Sequence, residues 1–279
     1  MHMQMHRYGV CCALVVAAGS TTALGGFDPW ADTVVSYDPG TEDVNTDFID
    51  PDSALGEPSR FTGDNAVFSG FDSAVTPFNG AFNVDQIVTL GGGGSLTLGF
   101  DEPVTDDAAN PFGIDLLIFG NASILDTDFP NGQAGDPATI TSEGGIVELS
   151  SDGENWIRAT GVTADGPFPT LGYSDLTDPF SPTAGDVETD FTQPVDPDFS
   201  LDGQSFAEIV AGYNGAGGGT GIDIAAFGLS EVSFVRITNP LGSGVTPEID
   251  AVVDVAVPTP GATALALTGL AFATRRRRH

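Results

Sequence analysis

The stretch GIDLLIFGN, Gly113 to Asn121, decides the fold. From Ile114 to Phe119 the only polar side chain is Asp115. Glycine closes the run on both sides, and it is too short for an ordinary helix. Such a run reads as a strand in the middle of a sheet. Upstream, Ile87 to Phe100 reads IVTLGGGGSLTLGF. It supplies strands at Gln86 to Leu90 and Ser95 to Phe100, parted by four glycines. Leu96, Leu98 and Phe100 alternate with Thr97 and Gly99, the pattern of a half-buried strand. Val34 to Tyr37 is a further strand. Gly145 to Ser150 runs into the turn Ser151-Asp152-Gly153 before Trp156. Val232 to Thr238 and Ile249 to Val255 close the series. Helical periodicity is scarce; Ser205-Phe206-Ala207-Glu208 is a capping box that predicts one short helix through Tyr213.

Two connections are long, Asp38 to Val84 and Asp165 to Ser200. Loops beyond about 15 residues are unusual in a compact domain unless they bind something or hold an ion. Seven or more short strands with such connections predict an all-β fold, an antiparallel β-sandwich of the jelly-roll kind with long acidic loops.

Composition restricts the chemistry. All 39 acidic residues lie between Asp28 and Asp254, against Arg60, Arg158 and Arg236 alone, so this segment carries 3 − 39 = −36. Nucleic acid and anionic membrane surfaces would be repelled by that field, so no nucleic-acid partner is expected. Lysine is absent from the chain, which removes Walker-type phosphate binding and Schiff-base chemistry. The histidines, His2, His6 and His279, and the cysteines, Cys11 and Cys12, lie in the end segments. The body therefore has no means for Ser-His-Asp or Cys-His catalysis, ordinary zinc sites or disulfides. Oxygen-ligand binding of hard cations and carboxylate-only catalysis stay open.

The ends read as addresses. Residues 1–26 have a mildly basic start at His6 and Arg7, an apolar core from Val10 to Ala18 and small residues after it, as a secretory signal peptide does. At the other end Val257-Pro258-Thr259-Pro260 precedes an uncharged run of fourteen residues, Gly261 to Thr274, and then Arg275, Arg276, Arg277 and Arg278. The run predicts a short hydrophobic helix, less than the roughly 20 residues a permanent span needs. With its basic end held in the cytoplasm it suits a temporary membrane anchor. The order of parts at 257–279 resembles the PEP-CTERM sorting signal, with Thr259 where that motif usually has Glu. An ordinary tail anchor is the alternative. The resemblance implies transient contact with the inner membrane, processing by an exosortase-type enzyme around Pro258, Pro260 and the arginines, and delivery to the cell surface or extracellular matrix of a Gram-negative-type bacterium. Between the ends, residues 27–256 form one expected domain.

A second resemblance lies in that body. Ala54-Leu55-Gly56-Glu57-Pro58, Ile87 to Phe100, Gly113 to Asn121, Val147 to Trp156, Gly221 to Ile224, Phe234 to Ile237 and Ile249 to Val252 occur in that order. The succession resembles the jelly-roll domain of secreted bacterial surface proteins, itself distantly similar to discoidin-like sugar-binding modules. It implies a β-sandwich and a surface location, with no assigned ligand.

Candidate sites are all oxygen-based, with calcium as the expected ion. Asp198, Ser200, Asp202 and Gly203 match the opening of a calcium loop, but Ile209 stands at its twelfth place; a solvated turn is the alternative. Asp115, Asp223 and Asp250 sit in or beside apolar strands, with Glu248 and Asp254 near. If buried they must be paired or hold a cation. An ion pair with Arg236, or capping of loop amides, is the alternative. Asp250 and Asp254, an even number apart, are expected on one side of a strand. Asp126-Thr127-Asp128 to Asn131-Gly132 is a third candidate for a cation, with an Asx-rich turn as the favoured reading, and Gly217 to Gly221 reads as a tight loop. Trp30, Trp156, Tyr173 and Tyr213 could stack on sugars or fill the core. The expectation is a non-enzymatic surface protein, cation-stabilised, acting in adhesion or an exopolysaccharide matrix. A carbohydrate-binding module and a two-carboxylate glycoside-active enzyme are the alternatives.

Overall fold

The computed structural model describes residues 28–63 and 72–255. The signal peptide, the hydrophobic helix and the processing residues Pro258, Pro260 and Arg275 to Arg278 fall outside that range.

Two antiparallel sheets face each other. The larger orders its strands as β1 (Thr33–Asp38), β3 (Ser95–Thr105), β10 (Glu231–Thr238), β7 (Gly144–Ser150) and β8 (Ile157–Asp165). The smaller runs β2 (Val88–Thr89), β11 (Glu248–Asp254), β4 (Leu116–Gly120) and β9 (Thr220–Ile222). A short pair, β5 (Ser123–Ile124) and β6 (Ile140–Thr141), lies apart. Successive strands often change sheet: β2, β4, β9 and β11 belong to one, β3, β7, β8 and β10 to the other. The all-β antiparallel sandwich is therefore as expected.

The apolar run at Leu116–Gly120 forms β4, held between β11 and β9 with every residue buried. Its two faces meet different cores. Leu116 and Ile118 join Leu96, Leu98, Val147, Leu149, Val235 and Ile237 between the sheets. Leu117 and Phe119 point the other way, to Ala251, Val253, Val255 and Phe191. Phe191 belongs to the long segment after β8, so this segment is a third layer of the molecule. The Phe191 ring meets Phe119 edge-on at 5.3 Å. Inside that layer, Leu171, Tyr173, Val195, Leu201 and the helix α1 (Phe206–Tyr213) build a second core. Ser205 caps α1 reciprocally with Glu208, as the sequence implied.

Three local readings differ. Thr97 and Gly99 of β3 are buried, because Thr33, Val35 and Phe234 crowd the outer face of Gly99. The end of the glycine run enters strand β9, Thr220–Ile222, too short for a period of two to show. Strand β8, from Ile157 to Asp165, is an addition to the expected strands, its sequence IRATGVTAD being short of large apolar residues. Among the described residues no helix is long and apolar enough to cross a membrane.

Candidate functional site

Many of the acidic side chains hold backbone amides. Asp115 is fully buried: its Oδ1 accepts from the Asn110 side-chain amide at 2.8 Å and the Asp107 N–H at 3.2 Å, its Oδ2 from the Ile224 N–H at 3.1 Å. It thus ties the turn before β4 to the turn after β9. Asp250 is the extra residue where the β11–β4 register slips between Ile249 and Ala251. The bulge turns it to Ser59, whose N–H and hydroxyl both donate to it, at 2.8 and 3.0 Å. That bulge also defeats the even spacing with Asp254, which lies instead within the field of Asp115. Asp223 accepts from the Ala226 N–H at 3.1 Å. Arg236 is spoken for by Glu148 at 2.8 Å, so it balances none of these groups.

The loop 196–203 behaves as a chain of turns. Asp196 accepts the Asp198 N–H, Ser200 the Asp202 N–H, and Asp202 itself the Ala138 N–H at 2.8 Å. Asp126 accepts three backbone N–H groups, from Asp128, Gly132 and Gln133, the Asx-rich turn expected. Asp115, Asp202, Asp223 and Asp250 thus accept backbone N–H groups at four separate places, and Glu248, Asp254 and Asp198 do not join them in one cluster. Among the described residues no group of three or more acidic side chains has the arrangement to hold a metal.

One cluster escaped the sequence reading. Asp165, at the end of β8, is fully buried and accepts from the Ala122 and Glu143 N–H groups at 3.0 and 2.8 Å. Glu143 and Glu248 bring their charges to the same seam between the sheets. Burial pushes Glu248 up to about 8; the charges of Glu143 and Asp165 add to the rise and a hydrogen bond from Asn121 opposes it. Burial likewise lifts Asp165 to about 6 against its two amide bonds. Asp250 rises to about 7 by burial, and Asp254 to about 7 by burial and then by the charge of Asp115. Asp165 had little to betray it, since the strand that buries it reads IRATGVTAD, short of large apolar residues.

The arginines and aromatics are mostly structural. Arg60 donates to Gly172 O at 2.6 Å and Thr189 O at 3.1 Å, pairs with Glu57, and lies 4.2 Å from the Phe191 ring centre. It fastens the third layer to the segment before it. Arg236 lies 4.0 Å over the Trp156 ring. Tyr173 and Tyr213 are buried, and Trp30 packs on the outer core.

A cleft of about 410 Å³ opens beside β9. Its floor is Ile114, Leu117 and Gly219 to Gly221; one wall is Gly161 to Thr163 of β8 with Ala138 and Ile140; the other is Pro167, Phe168, Pro194, Val195, Pro197 and Phe199 to Asp202. The β7–β8 ladder breaks between Arg158 and Thr163, and Gly161 there has φ of +91°. The strand bulges where it forms the wall. Among the described residues Asp202 is the one charged residue in the lining.

No protein-family model and no characterised protein matches this sequence.

Proposed function

We propose that this is a secreted, non-enzymatic protein of the cell surface or extracellular matrix. The observation that carries the reading is how the carboxylates are used. Asp115, Asp165 and Asp250 face amide and hydroxyl donors, and the described residues put one carboxylate in the cleft where glycosidase chemistry uses two flanking the scissile bond. A body free of Lys, His and Cys, with acidic side chains stapling its turns, suits a scaffold placed among counterions and sugars. The end segments support export and sorting by an exosortase-type enzyme, with exopolysaccharide as the durable partner.

Intact-mass measurement on protein recovered from outside the cell tests the address. Loss of the leader and of Arg275 to Arg278 is expected. Full-length protein in the cytoplasm with both ends retained would overturn it. Stabilisation by calcium or magnesium is part of the proposal, exerted through the field of 36 uncompensated charges. Unfolding midpoints with divalent ion should exceed those with chelator; equal midpoints at matched ionic strength remove the divalent role.

A further inference from the structure

We propose that the cleft beside β9 binds a neutral sugar ring, with Phe168 and Phe199 as its apolar contacts. The inference deepens the surface-protein reading and rests on it for the source of the ligand, a matrix polysaccharide. Four observations converge. The volume of about 410 Å³ falls within the range of small-ligand sites. The two rings are held in place: both meet Tyr213 edge-on, at 6.1 and 6.3 Å, and the Tyr213 hydroxyl donates to Pro169 O at 2.9 Å. Contacts fixed in advance lose little freedom when a ligand arrives. The β8 wall leaves its ladder at the cleft, where Gly161 bulges away from β7.

The fourth observation is chemical. Thr163, Ser200 and Asp202 are exposed and line the cleft. A wholly apolar ligand would cover these groups without hydrogen-bonding them. A phosphate, sulfate or uronate would find no Lys, Arg or His among the described lining residues and would enter a strongly negative field. A pyranose offers a C–H face to the phenyl rings and a rim of hydroxyls to Thr163, Ser200 and the Asp202 carboxylate. A neutral sugar satisfies both halves of the cleft.

Titration calorimetry on the full-length chain tests the assignment, using neutral gluco-, galacto- and manno-tetrasaccharides at millimolar concentration beside a uronate tetrasaccharide. At least one neutral series should bind. Thr163→Trp and Ser200→Trp, exposed positions from which an indole would fill the cleft, should each weaken it by about tenfold or more without moving the unfolding midpoint. Absence of binding in every neutral series, binding unchanged in both variants, or uronate binding as tight as neutral would each overturn the proposal. Should a Trp variant unfold, chemical-shift changes at the Phe168 and Phe199 rings on adding sugar to the unaltered chain decide instead. Intact mass keeps the two readings separate. A trimmed, exported protein that ignores sugars loses only the cleft, and a sugar binder left untrimmed in the cytoplasm loses only the address.

Discussion

Asp115 shows what a buried carboxylate does in a chain almost without cations. Three N–H donors reach it from two loops, so its oxygens are satisfied by local dipoles and not by a cationic side chain. Asp115→Ala should leave those donors unpaired and destabilise by about 3 kcal/mol or more, and Asp115→Asn, which turns one acceptor into a donor, by about 1–3 kcal/mol. Urea unfolding read by tryptophan fluorescence measures both. A loss below half a kcal/mol for the alanine variant would mean that water replaces the carboxylate easily.

At the scale of elements, the third layer explains why β4 reads as continuous apolar sequence. A strand in a two-layer sandwich would alternate, but here the segment 166–205 covers its outer face. Phe191 is the principal contact: it packs on Phe119, lies under Arg60, and presses on the bare backbone of Gly217. Phe191→Ala should destabilise by about 3–5 kcal/mol, as large-to-small changes of buried aromatics do. Native-state hydrogen exchange should then show the layer opening before the sandwich does. On α1, Ser205→Ala removes the cap on Glu208 and should cost about 1 kcal/mol. Thermal melts of the two variants rank the effects.

For the whole molecule, pH is the sharper probe. Asp165, Glu248, Asp250 and Asp254 have folded values near 6, 8, 7 and 7, above the ordinary range near 4. Each binds its proton more tightly when folded. The stability it gives is complete below about pH 4 and is lost as pH climbs through its folded value. Repulsion among the remaining carboxylates grows in the same direction. Asp126, Asp175 and Glu208 are lowered, chiefly through backbone hydrogen bonds that outweigh what desolvation they have, and their contribution is lost as pH falls below the ordinary range. The unfolding midpoint should therefore peak between about pH 4 and 6 and fall toward about pH 8.5. Glu248→Gln, which cannot ionise, should flatten the alkaline fall. A midpoint that rises from pH 5 to 8.5 would contradict the buried seam. Added sodium chloride should raise the midpoint most at alkaline pH, where the uncompensated charge is greatest.

Sequence alone determined the alternating and continuous apolar runs, hence most strands, the sandwich class and the capping box of α1, because these depend on periods of two and on local hydrogen bonds. It also determined the polyanionic, cation-poor chemistry that narrows function. Tertiary structure decided which acids are buried and what they face. Spacing along β11 placed Asp250 beside Asp254, and a one-residue bulge sent it to Ser59. The seam of Glu143, Asp165 and Glu248, the covering of β4 and the cleft walled by Phe168, Phe199 and Thr163 join positions far apart in the chain, and only long-range packing of loops without periodicity brings them together.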